Sequence, residues 1–284
     1  MSSPSMPAPF FEVVVHDDDL IPPLCALCAG FEGGRWRAQE CARHLCEWFP
    51  EFALTWEEYS NFGPHNAAEL LSQAAKNIYS TEKYTRRGEL GELLLHAIIR
   101  RTHDTVPAIS KVFFKDSAND TVKGFDAVHV VIQDDSLELW LGEAKFYDDA
   151  ADAIRAVIPE IRQHIAADYF RRECAAITNK LDNSWPHAAR LKKLLHRNTP
   201  VDQIFDSLCI PVLLTYDSDV LKGRQKCSSA CQAGIVDEAT KHHSSFSRSL
   251  GTLPIVVHLF LVPLQHKQQL VTAFHERLKA WQQI

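Results

Sequence analysis

A mixed α/β layer fold is what this sequence predicts, and three observations carry it. From residue 86 onward, segments of helical periodicity alternate with apolar, strand-like runs. Their order is helix, three strands, helix, strand, helix, strand, helix. Two of the strand-like runs, Gly124 to Ile132 and Leu137 to Phe146, are joined by a short polar stretch of the kind that closes a hairpin. The composition is that of an ordinary globular chain, 284 residues with 46% apolar and 23% charged, which excludes a disordered or fibrous protein.

The elements follow in order. Residues 1–10, rich in Ser and Pro, read as a loose tail. Phe11 to His16 alternates weakly as a strand does, and Asp17 to Asp19 reads as a solvated turn. Residues 36–49 and 67–80 have helical character, and the Gly33-Gly34 pair reads as a turn. Residues 1–84 are therefore expected to form a small, mainly helical accessory part, and 85–284 the α/β domain. Arg86 to His103 predicts a helix with Leu90, Leu94, Ala97 and Ile98 on one face. Val112 to Phe114 suggests a short strand before the hairpin. Ala150 to Ala167 predicts a helix, with more helix through 168–198. Ile210 to Tyr216 is a buried-type strand, 228–248 helical, Ile255 to Val262 a strand, and His266 to Gln283 a closing helix.

Several classes of protein are excluded. No apolar run approaches the ~20 residues that span a bilayer, and Met1 to Phe10 has neither the basic nor the apolar region of a signal peptide. A cytoplasmic protein is the expectation. With 30 Lys+Arg against 36 Asp+Glu, the net charge of -6 argues against a surface that coats nucleic acid by positive charge. No nucleotide-binding or zinc-hydrolase signature occurs, so ATP binding is not expected. Of eight cysteines, Cys174 and Cys209 read as small core residues. Cys25, Cys28, Cys41 and Cys46 could supply zinc ligands, but they lack a second tight knuckle, and buried free thiols are the plainer reading. Cys227 and Cys231, near His242 and His243, are a similar case.

The chemistry concentrates on the hairpin. Strand alternation puts Glu143 and Lys145 on one face with Leu137, Leu139 and Leu141, an apolar face where charge requires a reason. If Asp134 and Asp135 form the turn, Gln133 faces Ser136, and counting inward brings Asp126 opposite Glu143. Directly opposed Cβ atoms lie about 4.5–5.5 Å apart, so two such carboxylates repel unless a cation or a proton lies between them. Two carboxylates and a lysine at strand ends suit metal-dependent phosphodiester hydrolysis. Asp126 and Glu143 would hold Mg²⁺ (or Mn²⁺), the Ala144 carbonyl would be a third ligand, and Lys145 would orient water or stabilise developing charge. The alternative is a structural ion pair of Lys145 with Glu143 or Asp126. On the preceding helix, Glu89, Glu92 and His96 share a stripe, so either acid could approach the site. Acids at a helix N-terminus are also favoured by the helix dipole. Lys123, with Lys111, Lys115, Arg86, Arg87, Arg100 and Arg101, gathers positive charge around the site for phosphate contact, or else forms a solvated face.

At these residues the sequence resembles the PD-(D/E)XK nuclease superfamily, whose helix Glu, strand Asp and strand E-x-K occur here in order as Glu92, Asp126 and Glu143-Ala144-Lys145. Within it, RRGELGELLLH (86–96), VKGFDAVHVV (122–131) and LWLGEAKFYDDA (139–150) resemble the HamA family, the nuclease subunit of the Hachiman anti-phage defence system. The likeness extends through GRWRAQECARHLCEWFPEFAL (34–54) and IPVLLTYDS (210–218). The resemblance implies a restriction-endonuclease-like sheet flanked by helices and a bacterial DNA nuclease that works with a helicase partner, HamB. It also implies catalytic roles for Asp126, Glu143, Lys145 and Glu92. The spacing Gly88-x-x-x-Glu92 matches the superfamily's helix acid, with Glu89 as competitor. The superfamily's proline before the strand Asp is replaced by Phe125. The helix after the motif strand commonly lines the cleft, which makes Gln163 a candidate substrate contact.

Overall fold

Leu208–Asp217 and Val256–Leu264 are apolar along nearly their whole length rather than at every second residue. That is the pattern of strands covered on both faces, and both are buried almost throughout. They lie in the middle of a seven-stranded sheet in the computed structural model, which describes residues 6–78, 88–110, 124–133 and 136–284. In chain order the strands are β1 (Glu12–Asp17), β2 (Leu24–Cys28), β3 (Phe31–Glu32), β4 (Arg35–Trp36), β5 (Val106–Pro107), β6 (Ala127–Gln133), β7 (Ser136–Lys145), β8 (Leu208–Asp217) and β9 (Val256–Leu264). The helices are α1 (Ala38–Glu47), α2 (Phe49–Ala53), α3 (Trp56–Ser60), α4 (Ala67–Ile78), α5 (Glu89–His103), α6 (Ala150–His164), α7 (Ala167–Lys180), α8 (Ala188–Leu194), α9 (Val201–Phe205), α10 (Ser229–Leu250) and α11 (Lys267–Gln282).

The sheet order is β1-β2-β9-β8-β7-β6-β5. β2, β9, β8 and β7 run parallel, and antiparallel strands flank them: β1 on one side, β6 and β5 on the other. This is the mixed α/β architecture the sequence predicts. Helices cover both faces. On one face α5 packs against β6, β7 and β8, and α1 packs on α11. On the other, α6 and α10 cover the parallel strands. α5 is buried nearly all round because the N-terminal helices close over its outer side, so its core residues include Leu93, Leu95 and Ile99 besides the four expected.

Residues within 1–84, expected as a separate accessory part, contribute β1 and β2 to the common sheet and α1 to the common core. β2 is an element the sequence reading did not anticipate. Its LCALC is buried at all five positions because β9 and β1 flank it and helices cover it. Strand alternation sends Cys25 into the core on the α5 side and Cys28 into a separate cluster with Leu221 and Cys231, so the two sulfurs face opposite sides of the sheet. Cys41, Cys46, Cys174 and Cys209 are buried free thiols. Cys227 and Cys231 are not joined by His243, which lies twelve residues along α10 from Cys231, about 18 Å, and directs Nε2 to the Pro22 carbonyl at 2.7 Å. The β3–β4 hairpin turns at Gly33 and Gly34, with φ of 58° and 78°, the left-handed conformations that a two-residue turn of this hand requires. The proposed strand Val112–Phe114 and the hairpin turn Asp134-Asp135 lie outside the described residues. Among those described, no helix is long and apolar enough to cross a membrane.

Candidate active site

The hairpin register matches the expectation: β6 and β7 pair antiparallel from Gln133↔Ser136 inward to Ala127↔Gly142. There the ladder stops, one residue short of the Asp126–Glu143 opposition. The Asp126 amide donates to the Gly142 carbonyl at 2.9 Å, and Asp126 Oδ2 accepts the Ala144 amide at 2.9 Å. Asp126 is therefore tied directly to the middle of Glu143-Ala144-Lys145. On the other face Gly142 leaves room for α5, since a methyl group there would sit 2.7 Å from Leu95 Cδ2 and 3.0 Å from Ala127 Cβ. The site lies at the carboxyl end of β7, where ligand crevices of parallel sheets form.

Glu143 and Lys145 share one face, as expected, while Ala144 and Phe146 belong to the core on the other. The face of Glu143 meets α6, which is started by Asp149 capping the Asp152 amide at 2.8 Å. α6 brings two residues that the sequence reading gave no role. Glu160 pairs with Lys145 Nζ, and His164 Nδ1 lies 3.0 Å from Glu143 Oε1. Lys145 Nζ is also 3.7 Å from Glu143 Oε2. The His164 contact is close but not aligned as a hydrogen bond, and Glu143 Oε1 has no aligned donor. Burial pushes the Glu143 carboxyl up to about 8, against the pull of Lys145 and with the added repulsion of Glu160. Burial pushes Lys145 down, but Glu160, Glu143 and Asp126 together hold it above its ordinary value, so it stays charged. His164 is lowered, chiefly by burial, and is neutral. Its ring stacks on Tyr169 and meets Phe125 edge-on. From α7, Glu173 is buried, with its carboxyl raised by burial. Its Oε2 would lie 3.1 Å from a methyl group at Gly124, two residues before Asp126.

The other candidates are placed as follows. α5 begins against the end of β7, where Gly91 permits the approach: a methyl there would be 3.0 Å from Phe146 Cβ and 3.5 Å from Ala144 Cβ. That seats the first turn of α5, with Glu89 and Glu92 both half-buried, beside the E-x-K segment. Gln163 is exposed on α6, one position before the inward-facing His164. Lys123, Lys111, Lys115, Arg86 and Arg87 lie outside the described residues. Arg100 is a correction to the basic cluster: it is buried and its Nε donates to Glu51 at 2.8 Å, so it faces no phosphate. Arg101, ten residues beyond Gly91, is carried about 15 Å along the helix from the site. A cation not anticipated stands nearer: Lys267 Nζ, at the start of α11, is 5.4 Å from the Phe146 ring centre and 5.8 Å from that of Tyr147.

The donor set suits a hard divalent cation. Glu143 presents a buried oxygen with no aligned donor, Asp126 an adjacent carboxylate, and the Ala144 carbonyl follows Glu143 directly in sequence. Among the described residues no three His, Cys, Asp or Glu side chains already surround one point. The set is thus two carboxylates and backbone, the sparse ligation that Mg²⁺ accepts because it retains several waters.

The fold is a mixed α/β sheet flanked by helices, with Glu143 and Lys145 at the carboxyl end of β7 and Asp126 hydrogen-bonded beside them. The family model for HamA matches residues 8–278, and the chain belongs to the HamA family. It is also similar to Anti-bacteriophage protein A of Escherichia coli (strain K12), 21% identical over 280 residues, covering 90% of this chain. The chain spans 50% of the length of that relative.

Proposed function

We propose that this chain is a metal-dependent DNA endonuclease that serves anti-phage defence together with a helicase partner of the HamB type. The observation that carries the chemistry is the buried Glu143 oxygen without an aligned donor, beside Asp126 and Lys145. The family membership and the relative's name support the defence role. Mg²⁺ or Mn²⁺, held by Asp126, Glu143 and the Ala144 carbonyl, would polarise the phosphodiester and acidify a bound water. Lys145, charged and held by Glu160, is placed to orient the attacking water and to offset charge on the phosphoryl oxygens. Glu92 is the helix acid in this reading, with Glu89 as the alternative. Lys123 and Gln163 are its candidate substrate contacts, and Lys267 at the rim adds a positive charge for a phosphate. The net charge of -6 fits a division of labour in which the partner binds and moves the DNA.

The test is digestion of plasmid DNA, single-stranded DNA and RNA with Mg²⁺ or Mn²⁺, with and without the helicase. Cleavage of DNA by the wild type and a loss of at least ~100-fold in Lys145→Ala and in Glu143→Ala are expected. Cleavage undiminished in both variants would overturn the reading.

A further inference from the structure

Behind Asp126, on the opposite face of the sheet from Glu143, buried polar side chains that the hydrolytic reading leaves unused form one continuous chain. Glu51 of α2 accepts from Arg100 Nε, and its Oε2 lies 3.1 Å from His96 Nε2, a close charge contact that, like that of His164 with Glu143, is not aligned as a hydrogen bond. His96 Nδ1 lies 3.1 Å from His129 Nε2, and His129 Nδ1 lies 2.9 Å from Thr105 Oγ1. Arg100 donates in turn to the Thr105 carbonyl, which closes the chain into a ring. Glu51, His96, Arg100, Thr105 and His129 are all buried. They come from α2, α5, the turn before β5, and β6.

Stability alone does not call for such a network, since well-packed apolar residues serve a core as well or better. Its placement suggests what it does. A cavity of about 10 Å³, room for one water, is lined by Glu51, His96, His129, Pro107 and Asp126 together. The network thus borders the same small cavity as Asp126. It also fixes the two elements that bracket Asp126. His129 lies three residues along the same strand and is held laterally by Thr105 beside the two-residue β5. His96 lies one turn from Glu92 on α5. Asp126 sits one residue before the regular ladder, tied to β7 by its amide and its Oδ2, and the network holds the strand that follows it.

We propose that Glu51 is a positioning residue for Asp126, acting through His96 and His129, so that a segment contributing no reacting group still completes the site. The proposal rests on the reading of Asp126 as a cation ligand. Residues that orient metal ligands are typically worth about 10–100-fold in metal affinity.

The measurement is the affinity of the full chain for Mn²⁺ alone, followed by the electron paramagnetic resonance of free Mn²⁺, with circular dichroism confirming the fold of each variant. Asp126→Ala is expected to abolish binding. Glu51→Gln and His129→Leu are expected to weaken it about 10-fold or more. His129→Gln keeps a polar atom near the position of Nε2 and is expected to recover most of the loss, which a purely structural role would not require. Should Glu51→Gln fail to fold, the His129→Leu and His129→Gln pair decides. Folded His129 variants that bind within about twofold of wild type, while Asp126→Ala does not bind, would overturn the proposal and leave the hydrolytic reading intact. A wild type that does not bind Mn²⁺, or an Asp126→Ala variant that binds as well as wild type, would overturn the reading of Asp126 and this proposal with it.

Discussion

Glu51 and Glu143 are both buried glutamates, 9% and 2% exposed, on opposite faces of one sheet, yet their carboxyls are driven in opposite directions. Burial raises both. At Glu51 the close approach of His96 and the hydrogen-bonded guanidinium of Arg100 more than offset burial, and the group ends below its ordinary value. At Glu143 Lys145 stands at 3.7 Å and is shared with Glu160, so burial wins and the carboxyl rises to about 8. The difference lies in the completeness of the partners rather than in depth. A buried carboxylate with all its partners is architecture; one left short of a cation by its own fold has the character of a binding group.

The comparison breaks most visibly on removing each charge. Glu51→Gln leaves the buried Arg100 with only the exposed Asp104 carboxylate, 3.6 Å away, as counter-ion, and about 3 kcal/mol of stability should be lost in urea unfolding. Glu143→Gln replaces a carboxyl that burial keeps protonated until the pH approaches 8, and the metal-free protein should be no less stable than wild type near neutral pH. A comparable loss in both variants would show that the two sites do not differ in this way.

A smaller effect of opposite sign on the two faces is expected with pH. The folded-state value of Glu143, about 8, exceeds its unfolded value of 4.5, so the folded chain retains a proton that the unfolded chain releases. In chelator, stability should therefore fall as pH rises between about 4.5 and 8, and Glu143→Gln should flatten that limb. On the α5 face His96, His129 and His103 are all lowered by burial, His103 to about 4 from 6.5. There the unfolded chain takes up protons first, so stability should fall as pH drops below 6.5 towards 4. The two windows overlap between 4.5 and 6.5 with opposite slopes, so Glu143→Gln should steepen this limb while it flattens the one above 6.5. Thermal melting across pH measures both limbs.

The smallest effect separates the two faces by packing. A methyl in Gly142→Ala meets Leu95 on the α5 side, and the flexible end of that leucine can give way, so a loss of about 1–2 kcal/mol is expected. Because the added group points away from Glu143, Mn²⁺ affinity should stay within about twofold of wild type. A larger loss of affinity would mean that the faces are coupled at this residue.

The two faces also differ in how far they could be read from sequence. The Glu143–Lys145 face is local: strand alternation and a two-residue turn fix its register within one hairpin, and that register is found. The stripe of Ala153, Val157 and Ile161 on α6 is closed by His164, a buried polar residue at the next helical position. That break in an apolar stripe was a usable signal for a residue facing the site. Glu51, His96 and His129 offered no such signal, because their partners lie up to 49 residues away and follow no period. β2 was missed for a different reason. In sequence, LCALC is weighed only for its cysteines, as buried thiols or zinc ligands, whereas burial on both faces is what the parallel sheet asked of that segment.

That same strand dictates an order of assembly. β2, at residues 24–28, pairs with β9, at 256–264, so a segment made early must wait for one made some 230 residues later before its inner edge is hydrogen-bonded. Pairing over such separations makes folding slow and leaves an apolar edge exposed meanwhile. On the ribosome, β1 and β2 would remain an unpaired hairpin until most of the chain had emerged, and α1 would find its partner α11 only after that. The sheet is thus closed by its first and last strands together, and with that closure α2 and Glu51 gain the packed core that holds them.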